Sequence, residues 1–311
     1  KVLDRVGSYF GMRKIETDEK GIRFNNAQFY QKLVLAQNYW PETGLTMPDE
    51  EAGRKDILLA KQAGFNGLRI HQKIEDERFL FLCDTEGLLV WAEYPATYEF
   101  NDRAISAIAA EWLEAVRQQY NHPCVIAWVP FNESWGIPNV YTDKLQQRFT
   151  EGIYYLTKAF DAMRPVMCND GWEHTCSDIV TVHDYDGCVE RVNDRYKNDM
   201  KDILDNKIAP TNYRFVMANG YEYQGQPIVV SEYGGFKLAG TEGWGYDGEA
   251  KDAEDLVRKY DEITSAYKKM EKVCGFCYTQ LTDVYHETNG LMSFDRTPKV
   301  PLKEIKKINE R

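Results

Sequence analysis

No stretch of this 311-residue chain approaches the roughly 18 consecutive apolar side chains that a membrane span requires, and its first 20 residues hold no apolar core behind a basic start. Low-complexity tracts and blocks of like charge are also absent, and 43% apolar with 28% charged residues is the composition of a folded globular domain. Positive charge is in deficit: 49 acidic against 38 basic residues give a net charge of -11, a field that repels phosphate backbones and anionic headgroups. Neither nucleic acid nor a membrane is expected as a partner. The seven cysteines, at 83, 124, 168, 176, 188, 274 and 277, form no even-numbered framework and read as reduced thiols. Cys274 and Cys277 make a CxxC, but no second pair of ligands follows at zinc spacing. The GxSxG turn of serine hydrolases is missing too, and neither phosphate loop, GxGxxG or GxxxxGK[ST], follows a strand-like run. No cofactor and no metal are therefore expected.

What the sequence does contain is an alternation. Short apolar, β-rich runs take turns with amphipathic stretches of helical length, the pattern of parallel strands joined by right-handed crossovers. The runs that read as strands are Lys32 to Ala36, Gly67 to His71, Leu88 to Tyr94, Val125 to Phe131, Pro165 to Asn169, Ile179 to His183, Pro227 to Glu232 and Val273 to Gln280. Eight strands predict a (β/α)8 barrel of the α/β class. The clearest helices are expected over Asp49 to Ala63, Ala104 to Tyr120, Leu145 to Asp161 and Ala253 to Lys269. Residues 1–30, punctuated by Gly7, Gly11 and Gly21, stand outside the alternation as a linker and hairpin, and residues 31–311 form the barrel. The long connections at 186–226 and 233–251 are expected to line the C-terminal mouth, where barrels place their chemistry.

Several strands end in polar residues that apolar packing does not need: Arg69 and His71, Glu93, Asn132 and Glu133, Asn169 and Asp170, His183 to Tyr185, Glu232, and Gln280 with Asp283. Any one strand end is wet for trivial reasons; a ring of them converging on one mouth is a candidate site. Its strongest members are Glu133, after the run VIAWVPF, and Glu232, after PIVVS. Cleaving a glycosidic bond needs a proton for the leaving oxygen and an anion for the oxocarbenium-like carbon, hence two carboxylates flanking one bond. A hydrolytic metal site drawn from His71, His183, Asp184 and Asp170 competes for the same ring, but the paired-histidine spacings of metal sites are absent.

The motifs FNES and SEYGG, with RIH and HDY on other strands, resemble those of glycoside hydrolase family 2, the β-galactosidase, β-glucuronidase and β-mannosidase family. FGMRKIE, PETG, KDILLAKQAGFNGLRIHQ, FLCDTEGLLVWAE, NHPCVIAWVPFNES and RPV follow in the family's order. The resemblance implies a TIM barrel, with Glu133 as general acid/base, Glu232 as nucleophile and Asn132 as the partner of the sugar 2-hydroxyl. Tyr185 stands near a tyrosine that contacts the nucleophile, and His71 and Glu93 match mouth-lining positions. Arg69, Asp170, His183 and Gln280 complete the expected substrate-binding set. Glu133 is expected to be raised in pKa by the charge of Glu232, and the two carboxyls to lie about 5 to 5.5 Å apart. The chain has AQNYWPETG and EYGGFKL where lactose-cleaving members show HEHHPETG and EYAHAMG. Where β-glucuronidases carry Asn-x-Lys before a glycine, it has Glu287-Thr288-Asn289-Gly290. The expectation is thus a retaining exo-β-glycosidase acting on a terminal neutral sugar such as galactose, with β-mannosidase or β-glucuronidase specificity and a non-catalytic carbohydrate-binding barrel as alternatives. Expected partners are an oligosaccharide or glycoside and upstream β-sandwich domains, with self-association left open and the compartment open between cytoplasm and periplasm.

Overall fold

The computed structural model of the protein describes residues 2–211 and 213–311. Three short strands come first, β1 (Ile15–Asp18), β2 (Gly21–Phe24) and β3 (Ala27–Gln28), paired antiparallel. The alternation follows: β4 (Gln31–Ala36), α1 (Glu50–Gln62), β5 (Gly67–Ile70), α2 (Glu77–Glu86), β6 (Leu89–Glu93), α3 (Asp102–Gln119), β7 (Val125–Val129) and α4 (Lys144–Phe160). The second half runs β8 (Val180–Asp184), α5 (Val189–Asn198), α6 (Met200–Leu204), β9 (Ile228–Gly234), the two-residue strands β10 (Lys237–Leu238) and β11 (Glu249–Ala250), α7 (Ala253–Lys268), β12 (Val273–Thr279) and α8 (Leu302–Glu310). The connection at 186–226 is thus not a plain loop, since α5 and α6 lie within it.

Helix starts follow from local chemistry. Asp49, Asp76, Asn101, Asp143 and Asp252 each precede a helix and accept a backbone N–H of its first turn, pairing a donor that the helix itself leaves free. Gly64 follows α1 at φ +82, and a Cβ there would sit 3.0 Å from the Cα of Lys306 in α8. Only glycine satisfies both the turn and the close approach.

Seven strands form one curled parallel sheet in the order β7-β6-β5-β4-β12-β9-β8. The fifth expected strand, Pro165 to Asn169, is not among them. On one side its backbone does follow β7, with Trp128 N–H donating to Pro165 O at 3.0 Å and Met167 N–H to Trp128 O at 3.0 Å. Toward β8, side chains intervene: Cys168 N–H donates to Ser177 Oγ at 2.9 Å and Gly171 N–H to Thr181 Oγ1 at 2.8 Å, while Thr181 N–H donates to His174 Nε2 at 2.9 Å. Several backbone groups that a ladder would pair are satisfied by Ser, Thr and His instead, and His183 N–H reaches Gly171 O directly at 3.3 Å. The barrel therefore closes through a polar seam between residues 165–171 and β8.

Two apolar layers hold the assembly. Outward side chains such as Val34, Leu68, Val90, Val180 and Val230 pack against the helices, whereas Leu33, Leu35, Trp91, Ile126, Val129, Met167 and Val229 fill the interior. Ile15 and Ile22 of the β1–β2 hairpin belong to the interior layer and are buried. The hairpin is thus a floor to the barrel, leaving the C-terminal mouth for chemistry. Ile22→Ala is expected to lower stability by about 2–5 kcal/mol, the range for emptying a buried aliphatic site. Urea unfolding measures this, and a loss below about 0.5 kcal/mol would show the hairpin to be a passive tether.

Candidate active site

Arg69 projects from β5, Glu93 ends β6, Asn132 and Glu133 follow β7, Asp170 follows the fifth segment, and His183 and Glu232 sit on β8 and β9. Strict alternation along β9 would turn Glu232 away from the mouth, because Val230 faces the helices. A register slip prevents this. Val182 pairs with Val230 but His183 with Glu232, and Phe276 pairs with Val230 but Tyr278 with Tyr233. Relative to both neighbours β9 carries one extra residue, a bulge at Ser231–Glu232 that re-aims the glutamate inward.

Glu133 and Ser134 adopt φ of +52 and +59, the left-handed region that non-glycine residues enter at a cost of about 1–3 kcal/mol each. Three bonds hold them there. Glu133 N–H donates to Asp170 O at 2.9 Å, Ser134 N–H to Asn169 Oδ1 at 2.9 Å, and Ser134 Oγ to Glu173 Oε2 at 2.6 Å. Asn169, expected at the mouth, is therefore a brace behind it.

The Arg69 guanidinium, fully buried, donates from Nη1 to Glu232 Oε1 at 2.6 Å and from Nη2 to Asn132 Oδ1 at 2.7 Å. The same Nη2 lies 2.7 Å from Glu93 Oε2 and 2.8 Å from Asp170 Oδ2. Burial alone would discharge it, but these three carboxylates hold its pKa well above the ordinary value. His183 is the second buried cation. Its Nδ1 bonds Glu133 Oε1 at 2.8 Å and lies 3.4 Å from Glu232 Oε2, and its Nε2 bonds Asp170 Oδ2 at 3.0 Å. Desolvation opposes its charge, yet Glu232, Asp170 and Glu133 together push the imidazole up to about 10. His71 Nδ1 is 3.0 Å from Glu93 Oε1; burial lowers its pKa, but Glu93 outweighs this and raises it.

The expected rise of Glu133 is not what the structure shows. Burial pushes its carboxyl up, but the hydrogen bond and charge of His183 overcome this and hold it below the usual carboxylate range. The expectation weighed the anion opposite and not the cation between. One oxygen each of Glu133 and Glu232 and a ring nitrogen of His183 lie within 4.8 Å of one another. That spacing would suit a metal ion, but an imidazolium whose two nitrogens both donate has no lone pair to offer. A second such group, Asp84, His122 and Cys124, is tied into the barrel wall, with Asp84 accepting from His122 at 2.7 Å and from Cys124 N–H at 2.7 Å.

Tyr185 donates to Glu232 Oε2 at 2.5 Å and stacks on Tyr246 with ring centroids 3.8 Å apart. Gln280 reaches the mouth through a chain that begins at Gln37, whose Nε2 donates to Gln280 Oε1 at 3.1 Å and Glu287 Oε2 at 2.9 Å. Gln280 then donates to Asn289 Oδ1 at 2.8 Å. Asp283 and Asp184 leave the ring: Lys299 pairs with the first at 2.6 Å, and Arg195 with the second. Gln37 and Tyr246 escaped the sequence reading. Gln37 is a polar residue closing an apolar strand, a signal equal to that of Gln280, whereas nothing local marks Tyr246 within its glycine-rich loop.

Removing Arg69 strands three buried carboxylates, so Arg69→Met is expected to cost about 3–5 kcal/mol at pH 7. The sign with pH follows from Asp170. Burial opposes its ionisation, but Arg69 and His183 hold its pKa far below 3.8, so its contribution is present above the unfolded value and fades as pH falls. Urea unfolding should show a smaller gap between variant and wild type at pH 4 than at pH 7; a gap independent of pH would contradict the charge assignment.

A family model described as "Glycosyl hydrolases family 2, TIM barrel domain" matches residues 15–311. The chain is 26% identical over 330 residues to a β-galactosidase of Vibrio cholerae, covering 96% of this chain and 29% of that protein. It is 30% identical over 166 residues to a β-galactosidase of Thermoanaerobacter pseudethanolicus, covering 50% of this chain and 22% of that protein. It therefore spans less than a third of the length of these relatives. The crystal structure of a family 2 β-galacturonidase from Eisenbergiella tayi bound to galacturonate superposes with a TM-score of 0.79 at 22% identity, over 96% of this chain and 55% of that one. With the match running unbroken across the sheet, the mouth and both glutamates, the chain belongs to glycosyl hydrolase family 2, as its TIM barrel domain.

Proposed function

We propose that the chain is the catalytic barrel of a retaining exo-β-glycosidase that removes terminal β-linked neutral sugars of galactose type by double displacement. The observation that carries this is the approach of Glu133 and Glu232 oxygens to within 4.8 Å. Retaining enzymes hold their carboxyls about 5–5.5 Å apart, inverting ones about 6.5–9.5 Å to admit a water.

Glu232 is the nucleophile: Arg69 donates to one of its oxygens and Tyr185 fixes the other. Glu133 is the acid/base, and its side chain is 25% exposed against 5% for Glu232, so water reaches it first. In the empty site the proton needed for departure is held by His183. As the leaving oxygen approaches, that proton passes from His183 Nδ1 through Glu133 to the oxygen while a Glu232 oxygen bonds the anomeric carbon. In the second step Glu133 takes a proton from water, the hydroxide displaces Glu232, and His183 recovers its proton. Asn132 accepts from Arg69 through Oδ1, which leaves its Nδ2 to donate to the sugar 2-hydroxyl.

The preference for a neutral sugar is supported by charge. Glu287, half-buried, sits beside Gln37 and Asn289, facing Glu232 and His71. The cations here are already committed to carboxylates: Arg69, His71 and His183 as described, and Lys299 to Asp283. A uronate would bring its carboxylate to Glu287 with no uncommitted cation beside it among the described residues.

Glu232→Ala is expected to abolish hydrolysis of nitrophenyl β-galactoside and to regain turnover with azide, giving the inverted azide. Glu133→Ala should cleave substrates with acidic leaving groups and give the retained azide. Opposite stereochemistry would exchange the two roles; no turnover by wild type on any nitrophenyl β-glycoside would leave a carbohydrate-binding barrel. Wild type should also favour the β-galactoside over the β-galacturonide, with Glu287→Gln shrinking that ratio at least about fivefold, as expected for losing a charge repulsion of about 1 kcal/mol. Burial raises the Glu287 pKa, so the ratio should also shrink as pH falls and Glu287 protonates; a ratio indifferent to both would clear Glu287 of the role.

A further inference from the structure

The left-handed turn that carries Glu133 is braced from behind by residues outside the mouth. Ser134 Oγ donates to Glu173 Oε2 at 2.6 Å and accepts from Asn169 Nδ2 at 3.0 Å. Glu173 is buried, itself stands at φ +51, and takes its charge partner from the long connection after β8: Arg214 Nη1 donates to Glu173 Oε1 at 2.9 Å. Among the described residues Arg214 is the one cation paired with this carboxylate. The same guanidinium lies over the Trp172 ring, 5.7 Å from its centroid, and Trp172 meets the His183 ring edge-on at 5.5 Å. Arg214 thus stands behind both Glu133 and the imidazole bonded to it.

The segment that presents Arg214 is fixed on both flanks. Glu173 N–H donates to Phe215 O at 2.8 Å, His174 N–H to Val216 O at 2.9 Å and Ala218 N–H to His174 O at 2.9 Å, a short parallel bridge. Phe215 stacks on Tyr141 with ring centroids 5.2 Å apart. On the other flank Arg214 N–H donates to Thr211 O at 2.9 Å, and Thr211 Oγ1 donates to His183 O at 2.7 Å. The guanidinium is partly exposed but the carboxylate it neutralises is not. Without Arg214, Glu173 must take up a proton or turn toward water, as any stranded buried carboxylate must. Ser134 then loses the anion it donates to, and two residues held in the left-handed region have one tie fewer. Glu232, by contrast, is held by Arg69 and Tyr185, which no link of this path touches.

We propose that Arg214 is a positioning residue for the acid/base: by neutralising Glu173 it holds Ser134, and through Ser134 it holds Glu133 at the angle from which its carboxyl meets the leaving oxygen. This rests on the glycosidase reading above. The test compares kcat/KM for methyl β-galactoside, whose departing alkoxide needs a proton, with that for 2,4-dinitrophenyl β-galactoside, whose leaving group departs without one. Wild type, Arg214→Met and Arg214→Lys are measured. A merely structural role lowers both substrates alike, so the readout is their ratio. Arg214→Met is expected to lower the methyl-to-dinitrophenyl ratio at least about tenfold, part of the roughly 100- to 10,000-fold that a well-placed general acid supplies. Arg214→Lys keeps the charge beside Glu173 and should hold the ratio within about threefold of wild type. Ser134→Ala cuts the same path at its inner end and should show the same selective loss, which decides the matter even if Arg214→Met does not fold. Equal losses on both substrates in Arg214→Met, or an unchanged ratio in Ser134→Ala, would overturn the path. A ratio that falls as far in Arg214→Lys would overturn the part played by charge. Absence of wild-type turnover on both substrates would overturn the galactosidase reading, and this role with it.

Discussion

A guanidinium with no access to water, surrounded by Glu93, Asp170, Glu232 and the amide of Asn132, is the constraint from which the rest of the mouth follows. An isolated charge at that depth would be expelled or neutralised, and an isolated carboxylate likewise. Because Arg69 stands on β5 and its partners on β6, β7, the fifth segment and β9, no one of these strand ends can shift without leaving a charge uncompensated. His183 repeats the arrangement on the other side, joining Asp170 to Glu133. The two cations share Asp170 and together grip Glu232. This is why the proposed catalytic pair is held so close despite its mutual repulsion, and why Glu133 is ionised in the empty site.

Much of this architecture was legible in the chain. The apolar runs ending in Arg, Glu, Asn, His and Gln mark where strands stop and the mouth begins, and the amphipathic stretches such as Asp49 to Ala63 and Ala253 to Lys269 place the helices within a few residues. The fifth strand was misread because Pro165 to Asn169 has strand-like composition, whereas the groups that pair its backbone toward β8 are side chains of Ser177 and Thr181. Local composition reports propensity, not which partner a carbonyl finds. The protonation state of Glu133 was misread for a related reason. Its decisive neighbour lies 50 residues away, and only the closed sheet brings His183 between the two glutamates.

The likenesses to known proteins diverge in a way the charges help to order. The two sequence relatives described are β-galactosidases, while a well-superposing structure is a β-galacturonidase. A shared barrel constrains where the two glutamates stand, because those positions are tied to the buried cations. It does not constrain what lies at residues 37, 287 and 289, which belong to strand-end and loop positions outside the Arg69 cluster. In the reading proposed above, family membership and sugar preference are carried by different parts of the mouth.

The bulge in β9 has a consequence for how such a strand can change over time. In a regular strand the face that packs and the face that reacts are locked in one phase, so inserting or deleting a single residue inverts both. Here the phase slips once, between Val230 and Glu232, and the segment before the slip answers to the helices while the segment after it answers to the mouth. Residues 228–230 are free to be retuned for packing without rotating the glutamate. Deletion of Ser231, the extra residue, would restore the regular ladder with Val230 toward the helices and the glutamate, now its direct neighbour, still toward the mouth.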